Sequence, residues 1–397
     1  MRRILFVDHV NRILGGAEVN LLELLETVLA AKDWDPSVAC PPESVLRTAV
    51  QRLKVPTLAH GFAESLNQYR VVGRMTAIRG ALRGWQELRT AREVLAKQLD
   101  NWKPDAVISC TNKDHLCVAP ACAERGIPSV WWVNDIVSAD FFPWLARFGF
   151  LRTARKSAAR LVTVGEFGRQ ALLAQGLPEA LVTTIHNGIP LARYENGNRA
   201  WLREQLNLPG EARLVGIVGR FTPWKGQETF LQMALKLIRE GVDAHFVLAG
   251  RAFNEEQAFE SKLKSLAAAA PDRIHFIPFQ DSIANLLSGL DVFVHASQRP
   301  EPFGRVIIEA MAARVPVVAS RAGAVPEIVA HEKNGLLAAP GNVDEFASRV
   351  KRLLADSVLA RSLGQAGRQT VEQRFTIERV KADFEQVLDS ACHSRTT

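Results

Sequence analysis

Two glutamates, Glu301 and Glu309, enclose seven residues in the stretch EPFGRVIIEAMA, and their surroundings could bind a ligand. Glu301 follows an apolar strand pattern. Glu309 falls in an otherwise apolar helix, where an acid needs a polar partner such as a ligand hydroxyl. Gly304 allows close backbone approach, and the amides of Gly304, Arg305 and Val306 open the helix, where an anion is favoured. The alternative is a buried strand–helix–strand unit whose glutamates are satisfied within the protein.

Two cations, Arg220 and Lys225, occupy the stretch VGRFTPWKG just past another strand pattern. At a strand's carboxyl end, an arginine fork and a lysine point charge can bind both phosphates of a diphosphate. The stretch is not a Walker A motif, which requires GxxxxGK[ST]. A solvated surface pair is the alternative interpretation.

A pair of adjacent glycines, Gly15 and Gly16, leaves the first strand pattern and opens a helix. Such a backbone allows close approach, and the helix N-terminus could face a phosphate or a sugar. The loop lacks the GxGxxG dinucleotide fingerprint, and no acid ends the second strand. A tight turn is an equally good interpretation.

Short apolar runs alternate with helical patterns along most of the chain, which predicts parallel sheets covered by helices on both faces. The polar, turn-rich stretch 190–197 interrupts this series and is typical of an interdomain hinge. The sequence therefore predicts an α/β protein of two doubly wound Rossmann-like domains facing each other across a cleft. Such sheets bind ligands outside the carboxyl ends of their strands. The expected strands are 4–8, 37–40, 56–60, 106–110, 129–133, 161–164 and 182–186, then 214–218, 245–249, 274–278, 292–295, 317–319 and 336–338.

The composition fits a protein with large cores: 397 residues, 47% of them hydrophobic and 23% charged. A net charge of +7 suits an anionic ligand or an acidic membrane surface without establishing either. The five cysteines form no CxxC, which favours buried thiols in a reducing compartment. No apolar run reaches the roughly 18 residues of a membrane span, and the start lacks the features of a secretion signal. We therefore expect a cytoplasmic protein, with peripheral contact to the inner face of the cell membrane left open.

Metal chemistry has little support in the sequence. Asp33 and Asp35 match the DxD of metal-dependent transferases, but they fall between the first helix and the second strand, so we interpret the match as coincidence. No HxH, HExxH or Cys/His set is present. Packing or solvent contact is favoured for the histidines, and His9, which follows the first strand, is the strongest exception.

Two segments combine basic with apolar residues. The segment 70–103 contains eight basic and three acidic residues. The segment 141–156 contains Arg147, Arg152, Arg155 and Lys156 among aromatic residues and has no acidic residue. Amphipathic segments of this kind can lie in an anionic membrane surface. The alternative is a pair of cover helices with basic outer faces.

Four motifs in order, GGAE, HNGI, VGRF…KG and EPFGRVIIEAMA, make the chain resemble the family 4 retaining glycosyltransferases of GT-B fold over nearly its whole length. The resemblance implies that Arg220 and Lys225 neutralise the donor's diphosphate. It implies that Glu309 holds the ribose hydroxyls and that Glu301 holds the transferred sugar, so that Arg220, Lys225 and Glu301 are the expected catalytic residues.

Further donor contacts follow from the same resemblance. They comprise Gly15, Gly16, Asn134, and the backbone from Phe303 through Gly304 and Arg305 to Val306, with the base near 277–279. Asn134 stands where the family commonly carries a histidine, and an amide cannot take a charge. Residues 1–190, completed by a helix from about 375 to 397, would form the acceptor-side domain, and 191–374 the donor-side domain.

The activity implied is transfer of a sugar from a UDP- or GDP-linked donor to a hydroxyl of a glycan or lipid-linked acceptor. It would serve surface polysaccharide, lipopolysaccharide or glycolipid synthesis by metal-independent front-face displacement, with no cofactor and no nucleic-acid partner. The alternatives are a sugar-nucleotide epimerase of similar fold and a non-catalytic nucleotide- or glycan-binding module. A two-domain oxidoreductase is disfavoured because the dinucleotide fingerprint is missing.

Overall fold

A computed structural model of the chain describes residues 1–10, 15–61, 74–253, 256–278, 280 and 283–393, without the side chains of 74–85 and 393. The chain divides into two compact units. The first comprises Met1–Asn187 with Ile377–Thr397, and the second comprises Gly188–Thr376. These divisions lie within a few residues of the hinge and the returning helix expected from the sequence.

In the described residues, the first unit contains a seven-stranded parallel sheet with the order β3-β2-β1-β4-β5-β6-β7. Its strands are Arg2–Val7 (β1), Trp34–Cys40 (β2), Thr57–Ala59 (β3), Ala106–Ser109 (β4), Ser129–Val133 (β5), Arg160–Thr163 (β6) and Val182–Thr184 (β7). The helices before residue 188 are Gly16–Ala31 (α1), Val45–Arg52 (α2), Arg74–Trp102 (α3), Asn112–Ala123 (α4), Trp144–Ser157 (α5) and Glu166–Leu173 (α6). Continuous apolar runs form these strands because helices cover both faces of the sheet.

In the part of the chain that the structure describes, the second unit has a six-stranded parallel sheet with the order β10-β9-β8-β11-β12-β13. Its strands are Leu214–Val218 (β8), His245–Ala249 (β9), Ile274–Ile277 (β10), Val292–His295 (β11), Val317–Ser320 (β12) and Leu336–Ala338 (β13). Its helices are Trp201–Gln205 (α7), Gln227–Arg239 (α8), Gln257–Ala267 (α9), Ile283–Ser288 (α10), Arg305–Ala312 (α11), Val325–Ile328 (α12), Val343–Ala355 (α13) and Ser357–Arg374 (α14).

The last helix, Ile377–His393 (α15), belongs to the first unit, where it packs against α1 and β5. Phe384 is fully buried and meets the ring of Trp132 edge-on at 4.9 Å. Polar contacts fix the outer side of the helix: Arg2 pairs with Asp389 at 2.5 Å, and Lys381 pairs with Asp33. Since the chain leaves this unit at residue 187 and returns with α15, the first unit is built from both ends of the chain.

The strand order places a topological switch point in each sheet. In the first unit, β1 lies between β2 and β4, so the chain winds one way from β1 to β2 and the other way from β1 to β4. In the second unit, β8 lies between β9 and β11 in the same manner. Doubly wound sheets bind ligands at the carboxyl ends of the strands beside such a switch point. These two places are therefore the first to search for a site.

Some boundaries differ from those expected. Strand β7 ends at Thr184, so His186 lies in a loop and not in a strand. Lys225 lies in a 3-10 turn, Pro223–Lys225, and α8 begins only at Gln227. Of the helices in the described residues, none combines the length and apolar character needed to span a bilayer.

Candidate functional site

The carboxylate of Glu301 is the centre of a polar cluster in the second unit. Its Oε1 atom lies 2.7 Å from Lys225 Nζ, 2.5 Å from Ser297 Oγ and 3.1 Å from His295 Nε2. Glu301 is 3% exposed, so these partners replace water almost completely. The cluster joins the loop after β8, which supplies Lys225, to the loop after β11, which supplies Glu301, across the switch point of this sheet.

The Glu301 carboxyl is ionised at neutral pH. Its burial opposes ionisation and is the largest influence on the pKa. The charge of Lys225 and the hydrogen bond and charge of His295 outweigh that cost, and they hold the pKa of Glu301 below its ordinary value of 4.5. A buried carboxylate that keeps its charge is a strong acceptor for hydroxyl groups.

Close backbone packing fixes the position of Lys225. Gly226 has a φ of 78°, in the left-handed region, and a Cβ built on it would lie 1.8 Å from the carbonyl oxygen of Ala296. Only glycine therefore lets the loop after β8 lie directly against the loop after β11. The Lys225 ammonium also lies 4.2 Å from the centroid of the Trp224 ring, a cation–π distance.

Arg220 shares the loop of Lys225 but is held more loosely. Its side chain is 48% exposed, and its Nε lies 3.7 Å from Glu256 Oε2. Its backbone carbonyl accepts a hydrogen bond from Gln227 Nε2 at 2.9 Å, which ties the loop to the start of α8. The arrangement leaves the guanidinium room to approach an anionic ligand.

Glu309 has a partner within the protein. Arg305 Nε donates to Glu309 Oε1 at 2.7 Å, one turn apart on α11, and both side chains are nearly buried. Glu309 and Glu301 therefore each have a polar partner within the protein, and their binding of a ligand stays a prediction.

The start of α11 has the geometry expected of a phosphate-facing turn. Gly304 precedes the helix with a φ of 107°, and no side chain caps it. The first turn includes the amides of Arg305 and Val306, which by position have no intrahelical acceptor. Phe303 is 2% exposed and packs edge-on against Phe375 at 5.6 Å. Its side chain is thus part of the core, and only its backbone can serve a ligand.

In the first unit, two expected donor contacts are engaged internally. The amide of Gly15 donates to Glu18 Oε2 at 2.5 Å at the start of α1, with Gly16 as the first helical residue. Asn134 Nδ2 donates at 3.2 Å to the carbonyls of Cys110 and Trp132. The Asn134 side chain therefore offers a ligand its carbonyl oxygen, and not its amide hydrogens.

The structure reveals a second buried cluster that the sequence did not indicate. Asp114 Oδ1 lies 2.9 Å from His60 Nε2, and Asp114 Oδ2 lies 3.2 Å from His9 Nδ1 and 2.7 Å from Thr111 Oγ1. Its members come from the loops after β1 and β3 and from the start of α4, so no local motif contains them. Only the position of His9 after β1 gave a signal.

The DxD pair lies elsewhere. Asp33 precedes β2 and pairs with Lys381 of α15, at the amino end of the sheet. Among the described residues, no group of three or more histidine, cysteine, aspartate or glutamate side chains is arranged to hold a metal ion. Cys40, Cys110 and Cys117 are buried free thiols.

Known protein families match both halves of the chain. The model of glycosyl transferases group 1 matches residues 198–370, and the model of glycosyltransferase family 4 matches residues 14–193. The chain belongs to glycosyltransferase family 4. The group 1 match contains Lys225 and Glu301. The family 4 match contains His60 and Asp114 but begins after His9.

Several curated proteins are similar in sequence to this family 4 protein. It is 32% identical to spore coat protein SA of Bacillus subtilis over 59% of its length and 65% of that protein. It is 28% identical to N-acetyl-alpha-D-glucosaminyl L-malate synthase of Bacillus anthracis over 53% of its length and 54% of that protein. It is 32% identical to the lipopolysaccharide core mannosyltransferase LpcC of Rhizobium leguminosarum over 52% of its length and 59% of that protein. The matches span between about half and two thirds of these relatives.

Solved structures establish the fold as GT-B. Anabaena HepE in complex with UDP-glucose has a TM-score of 0.83 at 23% identity, with 98% of this chain and 100% of that one covered. Sucrose-phosphate synthase from Thermosynechococcus elongatus has a TM-score of 0.78 at 21% identity, with 99% and 100% covered. At these identities the likeness shows architecture alone.

Proposed function

We propose that this family 4 protein is a retaining glycosyltransferase that moves a sugar from a nucleotide-diphosphate donor to an acceptor hydroxyl. The observation that carries the proposal is the Lys225–Glu301 pair, which bridges the switch point of the second sheet at 2.7 Å. A cation for a departing diphosphate and an acid for sugar hydroxyls thus lie side by side where such sheets bind ligands. The lipopolysaccharide core mannosyltransferase activity in the name of LpcC supports this chemistry.

Lys225 can serve both groups at once. An ammonium has three N–H donors, and one is directed at Glu301 in this structure. The other two N–H groups could donate to phosphate oxygens, so the nucleotide sugar could bind without breaking the Lys225–Glu301 pair. Arg220, half exposed in the same loop, would add a fork to the diphosphate. Together they would stabilise the charge that develops as the sugar leaves.

Glu301 would orient the transferred sugar. Its carboxylate is buried, ionised and fixed by three partners on Oε1, so it is held before the donor arrives. A carboxylate accepts about four hydrogen bonds. Sugar hydroxyls can therefore join the existing partners. Preorganisation of this kind is what reduces the cost of reaching the transition state.

Glu309 would hold the ribose hydroxyls together with Arg305. The 2.7 Å contact uses one side of the Glu309 carboxylate and fixes its rotamer on α11. The backbone of Phe303, Gly304, Arg305 and Val306 would face the sugar and phosphate from the start of the same helix. The contributions of Gly15, Gly16 and Asn134 to donor binding stay predictions, as does a base site at 277–279, of which Phe279 lies outside the described residues.

The mechanism we propose needs no side-chain nucleophile and no metal. The acceptor hydroxyl attacks the sugar from the side that the diphosphate leaves, the bond to the diphosphate breaks, and a departing phosphate oxygen takes the hydroxyl proton. The configuration at the sugar carbon is thereby retained. The protein contributes positioning and electrostatic stabilisation of the leaving group.

A thermal-shift panel of nucleoside diphosphates and their sugar conjugates tests the donor assignment. A ligand that binds only the folded state raises the melting temperature by mass action. UDP, GDP or one of their hexose conjugates should raise it, and nucleosides without phosphate should not. No shift with any nucleoside diphosphate would refute the proposal. Analysis of the products separates transfer from the epimerase alternative, which would isomerise the donor sugar without an acceptor.

We further propose peripheral contact with an anionic membrane through α5. Trp144, Leu145 and Phe148 are 67%, 60% and 58% exposed on this helix. The segment 141–156 has four cations and no acid, which complements anionic lipid headgroups. An acceptor that is lipid-linked or part of a surface polysaccharide would lie at such a surface. Binding to anionic vesicles at low salt is expected, and its absence would remove this part of the proposal.

A further inference from the structure

The three hydrogen-bond partners of the Glu301 carboxylate all meet the same one of its two oxygens. Lys225 Nζ, Ser297 Oγ and His295 Nε2 lie 2.7, 2.5 and 3.1 Å from Oε1. Among the described residues, none donates to Oε2. A carboxylate oxygen has about two lone pairs, so three donors leave Oε1 no capacity for another hydrogen bond. A ligand hydroxyl that donates to Glu301 must therefore meet Oε2.

The ammonium of Lys225 alone would not fix the plane of this carboxylate. The last torsion of a glutamate side chain is broad and roughly two-fold, and a lysine ammonium is a compact point charge on a flexible stem. With Lys225 as its single partner, the carboxylate could turn about its own axis and still keep the ion pair. Ser297 and His295 remove that freedom because they add two donors at other positions around Oε1.

The backbone after β11 brings these two donors to the same side of the chain. His295 is the last residue of the strand, and Ser297 follows two positions later. Alternate residues of an extended segment point to one side, so both side chains can reach Glu301. They are 4% and 1% exposed, which keeps water from competing for the carboxylate. The contact is therefore set by the end of a central strand of the sheet.

Both side chains donate to the carboxylate. Ser297 gives its hydroxyl proton to Glu301, so its oxygen can also accept from His295 Nε2, which lies 3.3 Å away. His295 Nε2 faces an ionised carboxylate, which can only accept. Nε2 therefore carries a hydrogen both in the neutral ring and in the imidazolium. The contact of His295 with Glu301 does not depend on which of these two forms is present.

His295 has a cost that packing does not explain. Its Nδ1 is buried and, within the part of the chain that the structure describes, has no hydrogen-bond partner. A buried polar atom without a partner lowers stability. Departures from such packing rules are expected at functional sites, where residues serve activity at the expense of stability. The imidazole is thus explained by what Nε2 does for Glu301.

We propose that His295 and Ser297 are positioning residues for sugar transfer, which hold one oxygen of Glu301 and present the other to hydroxyl groups of the transferred sugar. This inference deepens the proposed function and rests on it. The diphosphate is assigned to Lys225 and Arg220. Changes at His295 and Ser297 should therefore weaken the contribution of the sugar to donor binding and leave the affinity for the nucleoside diphosphate nearly unchanged.

Two substitutions of His295 separate its N–H group from its bulk. Glutamine and methionine have similar lengths, but the glutamine amide can donate near the position of Nε2, whereas the methionine sulfur has no hydrogen to donate. His295→Met loses one contact to Glu301 and also removes the unpaired Nδ1. Because these effects oppose each other, its melting temperature should change little.

The substitution Ser297→Ala removes the second donor with almost no change in volume. Its matched control is Ser261→Ala, because the Ser261 hydroxyl donates to the carbonyl of Gln257 on the exposed side of α9. Both variants lose one hydroxyl hydrogen bond in the second unit. Of the two, the Ser297 hydroxyl alone contacts Glu301.

The measurement is isothermal titration of the full chain with UDP-glucose and UDP, and with GDP-mannose and GDP. For each pair, the affinity for the sugar nucleotide divided by that for the nucleoside diphosphate isolates the contribution of the sugar. This ratio should fall about tenfold in His295→Met and in Ser297→Ala, the effect of losing one hydrogen bond to a charged group. It should be retained in His295→Gln and Ser261→Ala. Turnover should follow the ratio.

Four results would overturn the proposal. They are an unchanged ratio in both His295→Met and Ser297→Ala, equal losses in His295→Gln and His295→Met, equal losses in the two serine variants, and an equal fall in affinity for both members of a nucleotide pair, which would indicate general structural damage. If His295→Met does not fold, the comparison of the two serine variants decides.

The same titrations keep this inference apart from the donor assignment. Binding of UDP or GDP to the wild type together with an unchanged ratio in the variants refutes the positioning role alone. If neither nucleoside diphosphate binds the wild type, the donor assignment is refuted, and the positioning role is refuted with it.

Discussion

Lys225 Nζ lies 2.7 Å from Glu301 Oε1, although the two residues are 76 positions apart in the sequence. The pair joins the loops that follow two adjacent strands, β8 and β11. The cation stabilises the buried carboxylate, and the carboxylate fixes the cation at the edge of the sheet. A single contact therefore prepares both partners that we assign to the donor.

Removal of either cation should impair transfer much more than folding. We expect Lys225→Ala and Arg220→Ala to lower turnover on the order of a hundredfold or more, because each removes charge that stabilises the leaving diphosphate. The measurement is steady-state transfer with the donor found in the thermal-shift panel. Lys262→Ala, which removes an exposed cation paired with Glu228 at 2.7 Å, is the matched control. Equal turnover in all three variants would contradict the assigned role.

The Glu301 cluster should make the protein sensitive to acid. The pKa of Glu301 is lowered in the folded state, so its contribution is present above its ordinary pKa of 4.5 and is lost as the pH falls through the folded value. A folded pKa one unit lower corresponds to about 1.4 kcal/mol. The free energy of unfolding of Glu301→Gln should therefore fall less steeply below pH 4.5 than that of the wild type. Parallel curves for the two proteins would argue against an ionised Glu301.

Gly226 should be far less replaceable than Gly241. The two have nearly equal φ values, 78° and 75°, so alanine pays a similar left-handed penalty of about 1 kcal/mol at each. At Gly226 the new Cβ also meets the carbonyl of Ala296 at 1.8 Å, whereas at Gly241 nothing lies within 4 Å. Thermal unfolding should show a clearly larger loss for Gly226→Ala. A similar melting temperature for both variants would mean that the loop accommodates the methyl group.

Membrane contact should depend on the exposed apolar residues of α5. The triple change Trp144→Ser, Leu145→Ser and Phe148→Ser should reduce co-sedimentation with anionic vesicles at least about tenfold, because it removes the apolar surface that would enter the interface. Val358→Ser, which replaces a 69% exposed valine in the second unit, should leave it unchanged. Equal losses in both variants, or none, would exclude α5 as the contact.

Local pattern predicted the fold well because buried parallel strands and their cover helices have strong periodicity. The strands β5, β8, β9, β11 and β13 have the bounds expected from the sequence. Motif spacing likewise identified Lys225 and Glu301 as candidates. It could not reveal that the two touch, because contact depends on the order of the strands.

Two partners of the candidate site residues are local. Glu309 pairs with Arg305 one turn away on α11, and the amide of Gly15 pairs with Glu18 in the first turn of α1, so the residue spacing could have predicted both contacts. The Asp114 cluster gathers His9 and His60 from separate loops, and Asp114 itself lies in no motif. Such groupings follow from the sheet topology.

The affinity for nucleoside diphosphate tests the central claim most directly. Isothermal titration of UDP and GDP would compare the wild type with Lys225→Ala and with the control Lys262→Ala. A charge-assisted contact to phosphate contributes about 1.5–3 kcal/mol, so the dissociation constant should rise at least about tenfold in Lys225→Ala and stay unchanged in the control. Equal affinity in the wild type and Lys225→Ala would contradict the assignment of this lysine to the diphosphate.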